Sequence, residues 1–393
     1  MNERQLAILT LLIKNPGYKI GNLEEELNLS RRQINYSLNQ FNSLLEENRI
    51  PSIKRNKAGD FFIPSEVVQI VSSNESLEIS EIDYMSEGER QEIIILYIII
   101  SNHYLSLEHM IDLLKVSKTT MIKDIKNAST YVGRFGLKIE YSRELGYEII
   151  GSERNIRILL NELVILWGER LGNSTLLSEY LIKDETPIIE YINIVEEELG
   201  INYSSSSFNL LVKLINYTIA RITSNRTSTK EFFIDQVKNT EEYKIVNTTI
   251  KNEWINNQSD IEWMTLLFLS SNVYKKTLNI FDESFLRNLV VDMIKEFEIK
   301  TLIKIENSNE FIDRLYAHLR PAIYRIRYNL SLERYHLNSL LRDPEHIALL
   351  SLVKDLVRPL EEQLNKQFPN EELQLLSLYF GSQYITDEKN KEE

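Results

Sequence analysis

The amino-acid sequence predicts a mainly α protein in which tandem winged helix-turn-helix domains precede two all-helical bundles. The chain has 393 residues, with 43% hydrophobic residues but only 12 Gly and 8 Pro, which is typical of a folded, helix-rich protein. A helix, a turn, a second helix and a hairpin occur in that order twice within residues 1–168. The remaining residues carry a helical apolar pattern that itself repeats.

Composition excludes several classes of function. The chain has no cysteine, so it has no disulfide, no thiolate zinc site and no cysteine nucleophile. Its five histidines are scattered, and we expect neither a metal site nor a cofactor. The N-terminus is too charged for a signal peptide, and the longest apolar run, residues 93–100, is too short to span a bilayer. We therefore expect a cytoplasmic protein without membrane contact.

The first predicted domain covers residues 1–65. A first helix over residues 4–14 ends at an Asn-Pro-Gly sequence, and a second over about 22–27 ends in a turn at Asn28-Leu29. Ser30 is a suitable N-cap for a third helix. The inner stripe of that helix consists of apolar residues at helical spacing: Ile34, Leu38, Phe41 and Leu45.

The outer face of this third helix predicts DNA binding. Its side chains are of the types that reach phosphates or base edges in a major groove: Arg31, Arg32, Gln33, Asn35 and Asn39. The hairpin wing that follows turns at Ala58-Gly59 and adds three cations: Lys54, Arg55 and Lys57. Although the net charge of −13 argues against a protein that coats nucleic acid, a local basic face is compatible with it. The alternative is that these cations form only a solvated face.

A polar, acidic linker over residues 66–86 leads to the second predicted domain, residues 87–168. Its first segment is rich in β-branched residues and would allow a strand, but its place in the repeat favours a helix. Ser117 is expected to cap the third helix, whose DNA-contacting residues are Lys118, Thr119, Thr120 and Lys123. The inner side of that helix is predicted to contain Met121, Ile122, Ile125 and Tyr131. A second wing turns near residues 144–146.

Two similar bundles are predicted over residues 169–282 and 283–388. The segment "LINYTIAR", which begins at Leu214, corresponds to "HLRPAIYR", which begins at His318. The segment "IEWMTLLFLSS" corresponds to "EELQLLSLYFGS", so that Leu269 aligns with Tyr379. This internal similarity indicates a tandem repeat of one helical unit.

The second bundle contains a histidine between arginines. Residues 311–340 have the apolar spacing of a helix, in which Pro321 would remove a hydrogen bond and introduce a bend. Arg314, His318 and Arg325 lie four and seven positions apart, close to one helix face. The arginines could bind a phosphoryl group carried by the imidazole, or His318 could be a hydrogen-bonded core residue. The chemistry alone favours the core residue.

In this arrangement the chain resembles the transcriptional regulators that carry PTS-regulation domains (PRDs), of the mannitol-operon-activator and Mga-like types. The resemblance rests on the second wing ending "LGYEIIGSE" and on the bundle segments "HLRPAIYR" and "EELQLLSLYFG". It implies two PRD-type bundles, a homodimer bound to promoter double-stranded DNA, and activation of transcription. It also implies phosphocarrier proteins of the phosphotransferase system as partners, which phosphorylate regulatory histidines in the bundles and so control dimerisation.

By this resemblance His318 is the phosphoacceptor of the second bundle. From the charge of their guanidinium groups, Arg314 and Arg325 are predicted to pair with the added phosphoryl group. Tyr379 replaces the second histidine, and Leu214 and Leu269 occupy the two positions in the first bundle. At most one of the four phosphorylation sites of the family is therefore retained. The alternatives are a Mga-type virulence regulator with degenerate sites, and a vestigial histidine that hydrogen-bonds across a dimer interface.

Two other classes of function are less consistent with the sequence. Relatives with the same bundles act as RNA-binding antiterminators, but they begin with a small β-rich module, whereas this N-terminus has the spacing of helices. An enzyme is not expected, since the sequence shows no paired carboxylates in a cleft pattern, no glycine-rich phosphate loop, no metal-ligand spacing and no nucleophile elbow.

Overall fold

The computed structural model describes most of the chain: residues 3–15, 17–27, 29–47, 50–56, 59, 61–64, 66–67, 85, 87–171, 177–224, 234, 236–255, 257–276, 284–305, 307–332 and 344–392. The chain divides into two compact units, residues 1–90 and 91–393. Of the predicted linker, only residues 66, 67 and 85 lie within the described part.

The first unit is a three-helix domain with a short hairpin. Its elements are α1 (Glu3–Lys14), α2 (Ile20–Leu27), α3 (Arg31–Glu47), β1 (Lys54–Arg55) and β2 (Phe61–Phe62). The two strands are antiparallel. The predicted inner stripe of α3 is confirmed: all four side chains are buried in one apolar core with residues of α1 and α2. Burial of this stripe directs the opposite face of α3 outward.

The second winged domain repeats this order. It contains α4 (Glu87–Ile100), α5 (Leu107–Leu114), α6 (Lys118–Gly133), β3 (Lys138–Ser142) and β4 (Gly146–Ile150). The apolar segment is helical, as its place in the repeat predicts, and residues 93–100 are all buried. The second wing is antiparallel, with Ser142 opposite Gly146, as predicted.

One residue of α6 was assigned to the wrong face. Ile122 is 53% exposed, whereas the buried residues of this helix include Asp124. The Ser117 side chain accepts a hydrogen bond from Thr120 N and fixes the start of the helix as predicted. Packing of the helix then sets a rotation that turns Ile122 outward.

Two helical bundles follow. Helix α7 (Glu153–Leu171) follows the second wing and lies, up to residue 168, within the predicted second domain. The first bundle contains α8 (Thr186–Leu199), α9 (Ser205–Thr223), α10 (Glu241–Thr249) and α11 (Gln258–Leu269). The second contains α12 (Ser284–Thr301), α13 (Ser308–Tyr328), α14 (Pro344–Leu364) and α15 (Asn370–Glu392). The first bundle is not purely helical, because β5 (Ile201–Tyr203) pairs antiparallel with β6 (Val273–Lys276). No helix in the described part of the chain is long and apolar enough to cross a bilayer.

Helix α13 differs in length from its prediction. It continues through Pro321 but ends at Tyr328, because Asn329 adopts a left-handed conformation (φ 59°) that terminates the helix. The predicted helix to residue 340 therefore stops early.

Corresponding helix ends support the repeat of the two bundles. A glutamate in the last turn of α8, Glu196, accepts a hydrogen bond from Tyr203 N, seven residues later. In α12, Glu298 accepts one from Ile305 N, again seven residues later.

Candidate DNA-binding surfaces and the buried histidine

The N-terminus of α3 is closed by a reciprocal cap. Gln33 N donates to Ser30 Oγ at 3.4 Å, and Ser30 N donates to Gln33 Oε1 at 2.8 Å. Gln33 was predicted to contact DNA, and its side-chain amide oxygen is hydrogen-bonded within the cap. The cap satisfies backbone donors of the first turn and fixes the direction in which the neighbouring side chains project.

The cations of the first unit lie on its surface. Arg31, Arg32 and Asn39 are exposed, and Asn35 is half-buried. Arg31 forms a weak contact with Glu24 at 3.7 Å. On the wing, Lys54 and Arg55 are exposed, whereas Lys57 and Ala58 lie outside the described residues. DNA contact by these side chains stays a prediction.

In the second winged domain, Lys118, Thr119 and Lys123 are exposed at the start of α6. The hydroxyl of Thr120, also predicted to contact DNA, forms a 2.9 Å hydrogen bond with Ser117 Oγ. Three of the four predicted contacts are therefore presented on one helix face, and the fourth supports the N-cap.

The second wing is fixed to the residue before Ser106. Tyr147 N donates to Leu105 O at 2.8 Å. Gly146 makes this approach possible, because its φ is +76° and a Cβ there would lie 2.2 Å from the Leu105 carbonyl oxygen. The wing is consequently held in a defined position beside α5.

His318 lies in the core of the second bundle, 3% exposed. Its ring stacks on Tyr379, with centroids 5.2 Å apart and planes inclined by 30°. Its Nε2 is 3.5 Å from Glu372 Oε2. The two aligned positions of the first bundle, Leu214 and Leu269, are also buried.

Glu372 lies beside His318 and binds Arg325. Arg325 donates from Nε to Oε1 at 2.6 Å and from Nη2 to Oε2 at 3.1 Å, which is a bidentate ion pair. Burial by itself raises the pKa of Glu372, but the charge of Arg325 and the bonds from Arg325 and His318 outweigh it and lower that pKa to about 2. The carboxylate is therefore ionised at neutral pH.

Burial lowers the pKa of His318, and repulsion from Arg325 adds to this effect, while Glu372 opposes it. The imidazole is therefore neutral near pH 7. A neutral imidazole has a nitrogen lone pair, which acceptance of a phosphoryl group requires.

The two arginines that flank His318 in the sequence differ in position. Arg325 is 3% exposed and bound to Glu372. The Arg314 side chain is 55% exposed, and its Nε lies 3.8 Å from Glu310 on the surface of α13. The pairing of either arginine with a phosphoryl group stays a prediction, and for Arg314 it requires a change of its present contact.

Sequence reasoning missed Glu372 as the central residue of this site. A signal was present, because Glu372 stands seven residues before Tyr379 and Glu262 stands seven before Leu269. Both glutamates are buried. A carboxylate at the same position of two aligned segments, four residues or fewer from apolar residues of the predicted core, indicates a buried partner.

Arg325 also reaches the first bundle. Its Nη1 donates to Ser270 O at 2.6 Å and to Asn272 Oδ1 at 3.1 Å, just beyond the end of α11. Arg320 forms a buried ion pair between the bundles, to Glu242 of α10 at 2.8 Å. Arg325 bonds both to Glu372 beside His318 and to residues of the first bundle, so the histidine site adjoins the contact between the two bundles.

The corresponding arginine of the first bundle makes an analogous set of bonds. Arg221 donates from Nε and Nη2 to the two oxygens of Glu153, at 3.3 and 2.8 Å. Its Nη1 donates to Ile99 O in the last turn of α4, at 3.0 Å. Glu153 also binds Arg157, which pairs with Asp260 of α11. Buried ion pairs therefore connect the second winged domain to the first bundle.

Neither His336 nor the His346 side chain lies among the described residues. Within the described part, no group of three or more His, Cys, Asp or Glu side chains is arranged to hold a metal ion.

Comparison with known proteins gives two domain families. The PRD domain matches residues 189–271 and 291–383, and the Mga helix-turn-helix domain matches residues 74–164. The latter match contains α4, α5 and α6 and the second wing. The two PRD matches contain the aligned segments of the two bundles, including His318.

Curated relatives are similar over most of this chain. The probable licABCH operon regulator of Bacillus subtilis (strain 168) is 24% identical over 313 residues, covering 75% of this chain and 47% of the relative. The capsule synthesis positive regulator AcpA of Bacillus anthracis is 23% identical, covering 83% and 67%. The transcriptional regulator ManR of Bacillus subtilis (strain 168) is 19% identical, covering 97% and 60%. The matched region thus spans between about half and two thirds of these relatives.

Proposed function

Since this chain belongs to the PRD-containing, Mga-like transcriptional regulators, we propose that it binds promoter DNA through its two winged helix-turn-helix domains and activates transcription. The observation that carries the proposal is the exposed face at the N-terminus of α6, where Lys118, Thr119 and Lys123 project from a capped helix beside a fixed wing. A recognition helix uses its N-terminal residues to contact base edges, while cations bind the phosphates. Helix α3 presents Arg31 and Arg32 in the same way within its own unit.

A binding experiment tests this proposal. Duplexes selected from a random-sequence pool by the full chain are titrated at several salt concentrations, with the double variants Arg31→Ala/Arg32→Ala and Lys118→Ala/Lys123→Ala. Each double variant is expected to weaken binding and to reduce the salt dependence, because fewer counterions are released. A matched control is Lys295→Ala/Lys300→Ala, which removes two cations of α12 that pair with neighbouring acids. Equal affinity of all four proteins would show that the recognition helices are assigned wrongly.

Hairpin RNA used as the probe distinguishes RNA binding from DNA binding. The same titration with hairpin RNA is expected to give weaker, salt-sensitive and sequence-independent binding, since both candidate surfaces have the geometry of major-groove readers. Tighter binding to hairpin RNA than to any selected duplex would favour an antiterminator.

We further propose that phosphorylation of His318 by phosphocarrier proteins controls this activity. A phosphoryl group would move from a carrier phosphohistidine to an imidazole nitrogen of His318, and the carrier histidine would be the leaving group. Because Tyr379 stacks on His318 and Glu372 lies beside it, the transfer requires α15 to move. The added negative charge would then compete with Glu372 for Arg325. Since Arg325 also bonds to Ser270 and Asn272, such competition would alter the contact between the bundles.

The test is incubation with the phosphotransferase relay and radiolabelled phosphoenolpyruvate. Label is expected on the wild-type chain and on Tyr379→Phe, and not on His318→Ala. Label that persists in His318→Ala would show that a different residue is the phosphoacceptor. An unlabelled wild type would mean that the bundles act as a scaffold without phosphorylation.

We propose a homodimer as the DNA-binding form, because tandem readers usually meet repeated half-sites that a twofold protein matches. Sedimentation at several protein concentrations is expected to show association. A stable monomer at micromolar concentration would argue against the dimer.

A further inference from the structure

Ile122 is an apolar residue in the middle of a cationic helix face. It is 53% exposed, whereas Met121 beside it is fully buried. Residues four apart share one face of a helix, so Lys118, Ile122 and Lys126, all exposed, form one row along α6. Thr119 and Lys123, also exposed, stand alongside this row.

The rotation of α6 prevents Ile122 from turning inward. The N-cap hydrogen bond from Thr120 N to Ser117 Oγ fixes the first turn. The buried residues of the helix, which set its inner side, are Met121, Asp124, Ala128 and Val132. Ile122 therefore projects from the same face as the predicted DNA-contacting lysines.

The major groove offers one apolar group to such a side chain, the C5-methyl of thymine. The lysines on either side would bind phosphates and hold the helix in the groove, but they carry little sequence information. In α3 the residue at the same distance from the serine cap is Asn35, whose amide is suited to adenine. The two recognition helices thus differ chemically at one matched position.

We infer that Ile122 is a specificity-determining residue that reads a thymine methyl group in the major groove. This inference rests on the proposed DNA binding by α6. The inference adds a preference for thymine to that function. The apolar contact with the methyl group comes from Ile122 and not from the ammonium groups of Lys118 and Lys126.

The experiment replaces each thymine of a selected duplex with deoxyuridine, one position at a time, which removes only the methyl group. Wild-type protein is expected to lose about fourfold in affinity at one thymine of each half-site, as burial of a single methyl group predicts. Ile122→Ala should bind the unmodified duplex more weakly and show no further loss at that thymine. Ile194→Ala, which truncates another exposed isoleucine in α8, should behave like wild type.

The scan of the wild-type protein needs no variant, so it does not depend on how Ile122→Ala folds. A selected duplex in which no replacement matters would overturn the inference and leave the proposed DNA binding intact. An unchanged replacement profile in a folded Ile122→Ala would also overturn it. Failure to enrich any duplex would instead contradict the proposed function, and the inference would fall with it.

Discussion

Replacing Glu372 with glutamine is expected to loosen the second bundle around its histidine. The carboxylate is 2% exposed and accepts two hydrogen bonds from Arg325, which is itself buried. Arginine cannot give up its charge in a protein, so the variant would leave a buried guanidinium without an anionic partner. Loss of one member of a buried ion pair typically costs about 3–5 kcal/mol.

The pKa of Glu372 gives an independent magnitude. Its folded value is about 2, against an ordinary value of 4.5. At about 1.4 kcal/mol per pKa unit, this difference corresponds to roughly 3 kcal/mol of stabilisation by the ionised carboxylate. Because the folded pKa is the lower one, the stabilisation is present above pH 4.5 and is lost as the pH falls toward 2.

Hydrogen exchange followed by mass spectrometry measures this effect locally in peptides from α13 and α15. A loss of about 3 kcal/mol would accelerate exchange by roughly 100-fold at pH 7. The difference between wild type and Glu372→Gln should shrink as the labelling pH is lowered. Asp292→Asn is the control, because it breaks an exposed pair with Lys295 and should change exchange by less than about threefold. An equally small change in Glu372→Gln would refute the reasoning.

Three further predictions concern single positions. Leu302 has φ +62° and is 89% exposed, so Leu302→Gly should relieve backbone strain. The free energy of unfolding should rise by about 0.5–1 kcal/mol and the melting temperature with it; a lower melting temperature would contradict this. Gly146→Ala should cost about 2 kcal/mol or more, because its Cβ would meet Leu105 O, whereas Gly133→Ala, with open space around it, should be neutral or stabilising in the same thermal unfolding measurement. Burial lowers the pKa of His318 below its ordinary 6.5, so wild type should lose stability as the pH falls below 6.5, and His318→Gln should not; parallel melting curves from pH 8 to pH 5 would argue against this.

The helices and the repeat could be predicted because each depends on local patterns. Apolar spacing and serine caps identify α3 and α6 from their own residues, and the two bundles align by short motifs. The rotation of α6 could not be obtained in this way. Asp124 is fully buried although its charge suggests an outer position, and Ile122 is exposed although it is apolar. Packing against the rest of the domain decided both.

The centre of the histidine site depends on contacts between distant residues. Arg325 and Glu372 are 47 positions apart, and Arg325 and Ser270 are 55 apart. Helical spacing placed Arg314 near His318 in the sequence, but it could not show that Arg314 would be exposed. Only the assembled bundle brings the carboxylate, the imidazole and the guanidinium together.

The bonds of Arg221 and Arg325 bear on how this chain can be divided for experiments or recombined with others. Arg325 donates hydrogen bonds to the Ser270 carbonyl and the Asn272 side chain, and Arg221 donates one to the Ile99 carbonyl. A fragment that begins at residue 283 would keep Arg325 and Glu372 but lose those acceptors. A chimera that joins either bundle to a foreign neighbour must supply matching oxygens at the same helix ends. Fragments and chimeras that keep both partners of these hydrogen bonds should fold, whereas a cut chosen from domain boundaries alone would leave a guanidinium group without some of its acceptors.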